Sequence, residues 1–142
     1  MRKILGCILL SISISAFAAK AKPEIFYWKI ERVIDGDTIA VQVDGMPADL
    51  KLKVRAMGID TPEKGGRAKC DQEALLGAQA TKTTKELIAG AKKVGFSDVK
   101  WDKFGGRVDA KVIIDGVDLA ETLIAKGLAK PYFGEKKSSW CN

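Results

Sequence analysis

The 142-residue chain contains no histidine. That absence removes Ser–His and Cys–His nucleophilic catalysis, histidine general bases and histidine-containing zinc sites. Cysteine is scarce, with three in all: Cys7, Cys70 and Cys141. Internal repeats and low-complexity linkers are missing as well. No apolar run reaches the roughly 20 residues that a membrane-spanning helix needs. Acid–base chemistry therefore falls to carboxylates, lysines or tyrosines. The composition, 46% apolar and 30% charged, is that of one folded domain with a modest core rather than a disordered chain.

The longest apolar run, ILGCILLSISISAFA, stands at the start, directly behind MRK. A basic start, a short apolar stretch and the small-x-small sequence AFA (Ala16 to Ala18) form the pattern of a secretion signal. Residues 1–19 are read as a cleaved signal peptide and residues 20–142 as the domain. Cys7 has almost no apolar run before it, so it is not read as a lipoprotein cysteine. The expected location is secreted or periplasmic, with no membrane contact after cleavage. The mature chain keeps 22 basic and 18 acidic groups, a net charge of about +4, which is compatible with a polyanionic partner. It also keeps two cysteines. In an oxidising compartment such a pair implies a disulfide, Cys70 to Cys141.

Residues 24–59 read as about three strands, with ERV, TIAVQV and LKLKVR the clearest pieces and Asp44-Gly45 a turn between them. From about Gln72 to Lys93 the pattern turns helical, with Leu76, Ala80, Leu87 and Ala91 on one face. VGFSDVKW and VDAKVII read as strands around the turn DKFGGR, and Asp115-Gly116 turns the chain again. Asp118 with Glu121 fits a capping box, and Gly127 fits the C-terminal cap of a second helix. Strands broken by helices in this order suggest an α+β domain, for which a five-stranded barrel with appended helices is one solution.

Carboxylates crowd the strand ends: Asp35 and Asp37 in VIDGDTI, then Asp60 and Glu63 in GIDTPE. Without histidine or thiolate, converging carboxylates make an oxygen-only site that suits Ca²⁺ or Mg²⁺. Asp35-Gly36 alone is ordinary turn chemistry. Asp37 and Asp60, each followed by threonine, point to a metal. Glu63, stiffened by Pro62, would orient or deprotonate a water beside such a metal. Arg55 and Arg107 would clamp a phosphate, or else form surface salt bridges. The loop EKGGRAK, with Lys64, Arg67 and Lys69, either tracks a phosphate backbone or is merely solvated. Tyr132 and Phe133 either stack on a base or pack in the core.

In order, VIDGDTI, Arg55, IDTPE, DKFGGR and GLAKPY followed by SSWC resemble the thermonuclease, or staphylococcal nuclease, family, in its secreted bacterial branch. The resemblance runs from about Ile30 to Cys141. It implies an OB-type five-stranded β-barrel with about three α-helices, and a Ca²⁺-dependent phosphodiesterase that cuts DNA and RNA and leaves 3′-phosphates. It implies Asp37, Asp60 and the main-chain oxygen of Thr61 as metal ligands, with Asp35 behind them. Glu63 corresponds to the catalytic carboxylate, and Arg55 and Arg107 to the arginines at the phosphate. One difference is plain: Phe104 stands where the best-known member has a tyrosine, and a second glycine comes after it. The enzyme is expected to be a monomer. Its rival is a non-catalytic OB-type module that binds single strands; intact acids and arginines favour the enzyme. A structural secreted domain would explain the disulfide but not the acid and arginine set.

Overall fold

The computed structural model describes residues 22–142 except Phe104, so the signal segment and the aromatic position in DKFGGR lie outside the described residues. Among the described residues, nine strands and two α-helices are arranged in the order β1 (Ile25–Phe26), β2 (Lys29–Asp35), β3 (Thr38–Gln42), β4 (Leu52–Ala56), β5 (Ile59–Asp60), α1 (Asp71–Gly90), β6 (Val94–Trp101), β7 (Arg107–Ile114), β8 (Val117–Asp118), α2 (Leu119–Ala125) and β9 (Lys130–Pro131). A single 3₁₀ turn, Gly65–Arg67, precedes α1. The α+β class expected from the sequence holds.

Two expectations need correction. Among the described residues there are two α-helices, not about three. After α2 the chain carries Gly127, Pro131 and Gly134, and glycine and proline oppose a further helix. The sheet is also not a closed barrel. It runs β1-β6-β7-β4-β3-β2, with β8 on β7, while β5 and β9 pair separately. Its two edges, β1 and β2, are halves of one chain segment broken at Tyr27–Trp28. The segment serves β6 with one half and β3 with the other, so the gap between the edges is spanned by chain rather than by a ladder.

Alternation explains the core. Ile39 and Val41 of β3, Val54 and Ala56 of β4, and Val108, Ala110 and Val112 of β7 point inward and are buried. Phe96 fills the centre under Trp28, and Leu119 and Leu123 of α2 cover β7. The turn at Asp44-Gly45 forms, with Gly45 at φ +82° and Met46 N–H donating to Val43 O at 3.2 Å. It opens a nine-residue connection, because β4 begins only at Leu52. Asp118 caps α2 through the N–H of Ala120 at 2.9 Å, and Gly127 ends it at φ +68°. Cys70 and Cys141 are bonded, with Cα atoms 6.1 Å apart.

The parallel β4–β7 pair sets two arginines on one surface. Its register puts Lys53 beside Arg107 and Arg55 beside Asp109. Val54 and Val108 face the core, so the side chains of Arg55 and Arg107 emerge on the opposite, outer face.

Candidate active site

The turn Asp35–Asp37 joins β2 to β3 and presses against α1. A Cβ added at Gly36 would lie 2.8 Å from Ala80 Cβ, so only glycine allows that approach. Thr84 Oγ1 donates to Gly36 O at 2.8 Å and fixes the turn to the helix. Asp37 is consequently buried. Its Oδ1 accepts from Thr38 Oγ1 at 2.9 Å, and its Oδ2 accepts from Thr61 N–H at 3.3 Å. The second acidic stretch is thus tied directly to the first. Burial, then the neighbouring Asp35 charge, outweigh Arg55 and push the Asp37 carboxyl up to about 6.

Asp60, in β5, is buried beside Asp37, and one guanidinium serves both. Arg55 Nη2 stands 3.7 Å from Asp37 Oδ2 and 3.5 Å from Asp60 Oδ1. Lys137, from the C-terminal tail, also reaches Asp60 Oδ1, at 2.6 Å. Arg67 bridges the remaining acids, with Nη2 3.3 Å from Asp35 Oδ2 and Nε 3.1 Å from Glu63 Oε2. Lys64 Nζ donates to Ile34 O. Lys64 and Arg67, two of the loop cations singled out in the sequence, therefore clamp the two acid turns together in this structure. Arg107 is held differently. Its Nε pairs with buried Asp102 at 2.5 Å, inside its own turn, where Asp102 N–H also donates to Arg107 O at 3.1 Å.

Arg55 and Arg107 line one cleft of about 500 Å³ together with Lys100, Trp101, Asp109, Tyr132 and Phe133. Tyr132 lies 5.6 Å from the Arg55 guanidinium, and its N–H donates to Gly58 O at 2.9 Å. Phe133 is 83% exposed at the mouth, so it is not a core residue. Trp101 is 71% exposed there as well.

The sequence-predicted residues Asp35, Asp37, Arg55, Asp60, Thr61 and Glu63 thus gather around linked turns, with Arg107 further along the cleft. Sequence reading missed Lys137 and the buried acids Asp102 and Glu73. Lys137 carried no motif. Asp102 and Glu73 looked like ordinary polar residues at a turn and in the first turn of a helix.

Among the described residues no three acidic groups stand as a ready cluster for a metal. The donor chemistry nevertheless fits a hard cation. It is oxygen only, Asp37 and Asp60 already share a positive partner, and Asp35 Oδ1 is buried without a hydrogen-bond partner.

An α+β domain whose buried carboxylates share an arginine of an arginine-lined cleft is the class that fold and site define together. Residues 53–140, more than half of the chain, match the family described as staphylococcal nuclease homologue, and the chain belongs to that family. The family's domain is an OB-fold, here with an open sheet. The chain is 39% identical over 103 residues to endonuclease YncB of Bacillus subtilis (strain 168), covering 71% of this chain and 46% of the relative. It is 38% identical over 103 residues to the SPbeta prophage-derived endonuclease YokF of the same organism, covering 71% and 32%. The chain thus spans less than half the length of these relatives.

Proposed function

We propose that this chain is a metal-dependent nuclease that hydrolyses phosphodiester bonds of DNA and RNA. The observation that carries the proposal is that Arg55, which lines the cleft with Arg107, stands within 3.7 Å of both Asp37 and Asp60. Family membership and two relatives named endonucleases support it.

Asp37, Asp60 and the main-chain oxygen of Thr61 would hold the cation, with Asp35 behind them. When bound, the cation supplies Lewis-acid polarisation of the phosphate and a lowered pKa for a nearby water. We take it to be Ca²⁺, because large flexible oxygen sites favour it over Mg²⁺. The carboxylate of Glu63 is half-exposed and accepts the proton of the attacking water. To do so it must part from Arg67. The water oxygen bonds to phosphorus and the bond to the 5′ oxygen breaks. That oxygen leaves with the electron pair and takes a proton, so the product keeps a 3′-phosphate. Arg55 and Arg107 stabilise the charge that builds on the phosphate oxygens. Tyr132 and Phe133 offer rings to a base.

A secreted or periplasmic monomer is the form proposed. The Cys70–Cys141 bond supports an oxidising compartment, and no helix among the described residues is long and apolar enough to cross a membrane. The test is direct. The purified mature chain is incubated with DNA and with RNA, in Ca²⁺ and in chelator. Cleavage in Ca²⁺ that stops in chelator is expected; binding without cleavage in both would establish the non-catalytic module instead.

A further inference from the structure

α1 does more than cover the sheet. Glu73 is the third residue after the N-cap Cys70, the position from which a capping-box glutamate ordinarily turns back to the N-cap N–H. Here the side chain goes elsewhere. Oε2 accepts from Lys69 N–H at 2.7 Å, and Oε1 accepts from Glu63 N–H at 3.4 Å. The residue is only 5% exposed. One buried carboxylate therefore fastens both ends of segment 63–69, the loop that carries the 3₁₀ turn and Arg67.

Gly77 lies one helical turn further along the same face. A Cβ there would come within 2.3 Å of Glu63 O and 2.7 Å of Pro62 O. The helix thus rests on the main chain of Pro62 and Glu63. The Glu63 main chain is held from the N–H side by Glu73 and from the carbonyl side by the surface that Gly77 leaves open. Its side chain stays half-exposed, paired with Arg67.

Burying a carboxylate is unfavourable unless its hydrogen bonds compensate. A serine or aspartate at the N-cap would end the helix without that burial. The arrangement serves Glu63 as well as the helix.

We infer that Glu73 is a positioning residue for the proposed general base Glu63, acting through the Glu63 main chain, with Gly77 as the matching helix surface. This rests on the proposed nuclease activity. Misplacement of a reacting group by about 1 Å lowers turnover by up to about 10²-fold. Glu73→Gln keeps the shape but replaces one acceptor oxygen by a donor, so it cannot hold both N–H groups.

The experiment uses the full mature chain, a DNA substrate and saturating Ca²⁺, well below the melting temperature. Glu73→Gln is expected to lower kcat on the order of 10- to 100-fold with KM nearly unchanged. In a Glu63→Gln background the same change should have little further effect on kcat. An equal loss in both backgrounds overturns the inference, as does a loss explained wholly by unfolded protein. Amide hydrogen exchange supplies a readout independent of activity. In the wild type Glu63 and Lys69 N–H should be protected, and Glu73→Gln should speed exchange at both while the middle of α1 stays protected. An unprotected Glu63 N–H in the folded wild type overturns the inference even if no variant folds. Absence of any cleavage by the wild type, with exchange as expected, would instead count against the nuclease reading while leaving the clamp on Glu63 in place.

Discussion

Arg55 and Arg107 flank the same cleft and are restrained in opposite ways. Arg55 is shared between Asp37 and Asp60 at 3.7 and 3.5 Å, contacts longer than a hydrogen bond. Arg107 is locked onto Asp102 at 2.5 Å, within a turn that separates them by five positions. The first is a counter-ion shared by the two acids proposed to hold a metal. The second is a side chain aimed by its own loop. A cation entering the acid pair would release Arg55 towards a phosphate and leave the Arg107–Asp102 pair untouched.

That contrast can be broken first by stability measurements. Arg55→Ala removes the guanidinium shared by two buried carboxylates, and Arg107→Ala removes the one paired with buried Asp102. Each should destabilise the metal-free protein by about 3–5 kcal/mol. Added Ca²⁺ should restore much of the loss for Arg55→Ala and little for Arg107→Ala, as read by thermal melts with and without Ca²⁺. Equal rescue of both, or of neither, would erase the distinction. Turnover should fall on the order of 10²-fold or more in either variant.

The disulfide sharpens the same comparison, because Arg107 lies between Cys70 and Cys141 and Arg55 does not. The bridge spans a sequence separation of 71, for which chain entropy alone gives about 4 kcal/mol. Reduction should lower the melting temperature of every variant and leave turnover intact at low temperature, since no proposed catalytic group is a thiol. Turnover lost on reduction of still-folded protein would contradict this.

A pH titration addresses Asp37 alone. Its folded pKa of about 6 lies above the ordinary 3.8. The folded state therefore holds this proton more tightly than the unfolded state. The stabilisation is full below about pH 4 and is lost as pH rises through about 6. Asp35 and Arg55 are the charged groups that act on it most, and Asp60 shares Arg55 with it. Asp37→Asn should thus gain on the metal-free wild type by about 2–3 kcal/mol between pH 4 and pH 7. Denaturant midpoints at the two pH values read the difference, and a constant difference would refute it.

The smallest effect belongs to Lys137. It is half-exposed and competes for Asp60. Lys137→Ala should tighten Ca²⁺ binding a few-fold, measured by calorimetry, with stability changed by under about 1 kcal/mol. Weaker binding would mean that the tail lysine helps to build the site.

Much of this architecture was legible because it obeys local rules. Strand 107–114 alternates, Asp118 caps, Gly127 stops, and the acids mark turns. What escaped depends on distant contacts. Leu76 and Leu87 pointed to a hydrophobic helix face, yet the deeply buried positions of α1 are Glu73, Gly77, Ala80, Thr81 and Thr84. Only Ala80 belongs to both sets. That face meets the main chain of two loops, which calls for small and hydrogen-bonding side chains, and hydrophobic periodicity cannot register a backbone partner. The site divides likewise. Asp37, Asp60 and Glu63 stand out by their turn sequences. The pairing of Asp60 with Lys137, across 77 positions, and of Asp35 with Arg67 leaves no local trace.

The covalent ring from Cys70 to Cys141 also sorts the molecule by how it would survive cutting. Asp35, Asp37, Arg55, Asp60 and Glu63 lie before the ring; Arg107 and Lys137 lie inside it. A protease that nicks the turn between Asp102 and Arg107 would leave both pieces joined through sulfur, and the nicked protein would run as one species until reduced. A nick in the connection between β3 and β4 would release Asp35 and Asp37 on a fragment held by noncovalent contacts alone. The two cuts would then have opposite fates, one silent without reductant and the other able to shed half of the acid cluster.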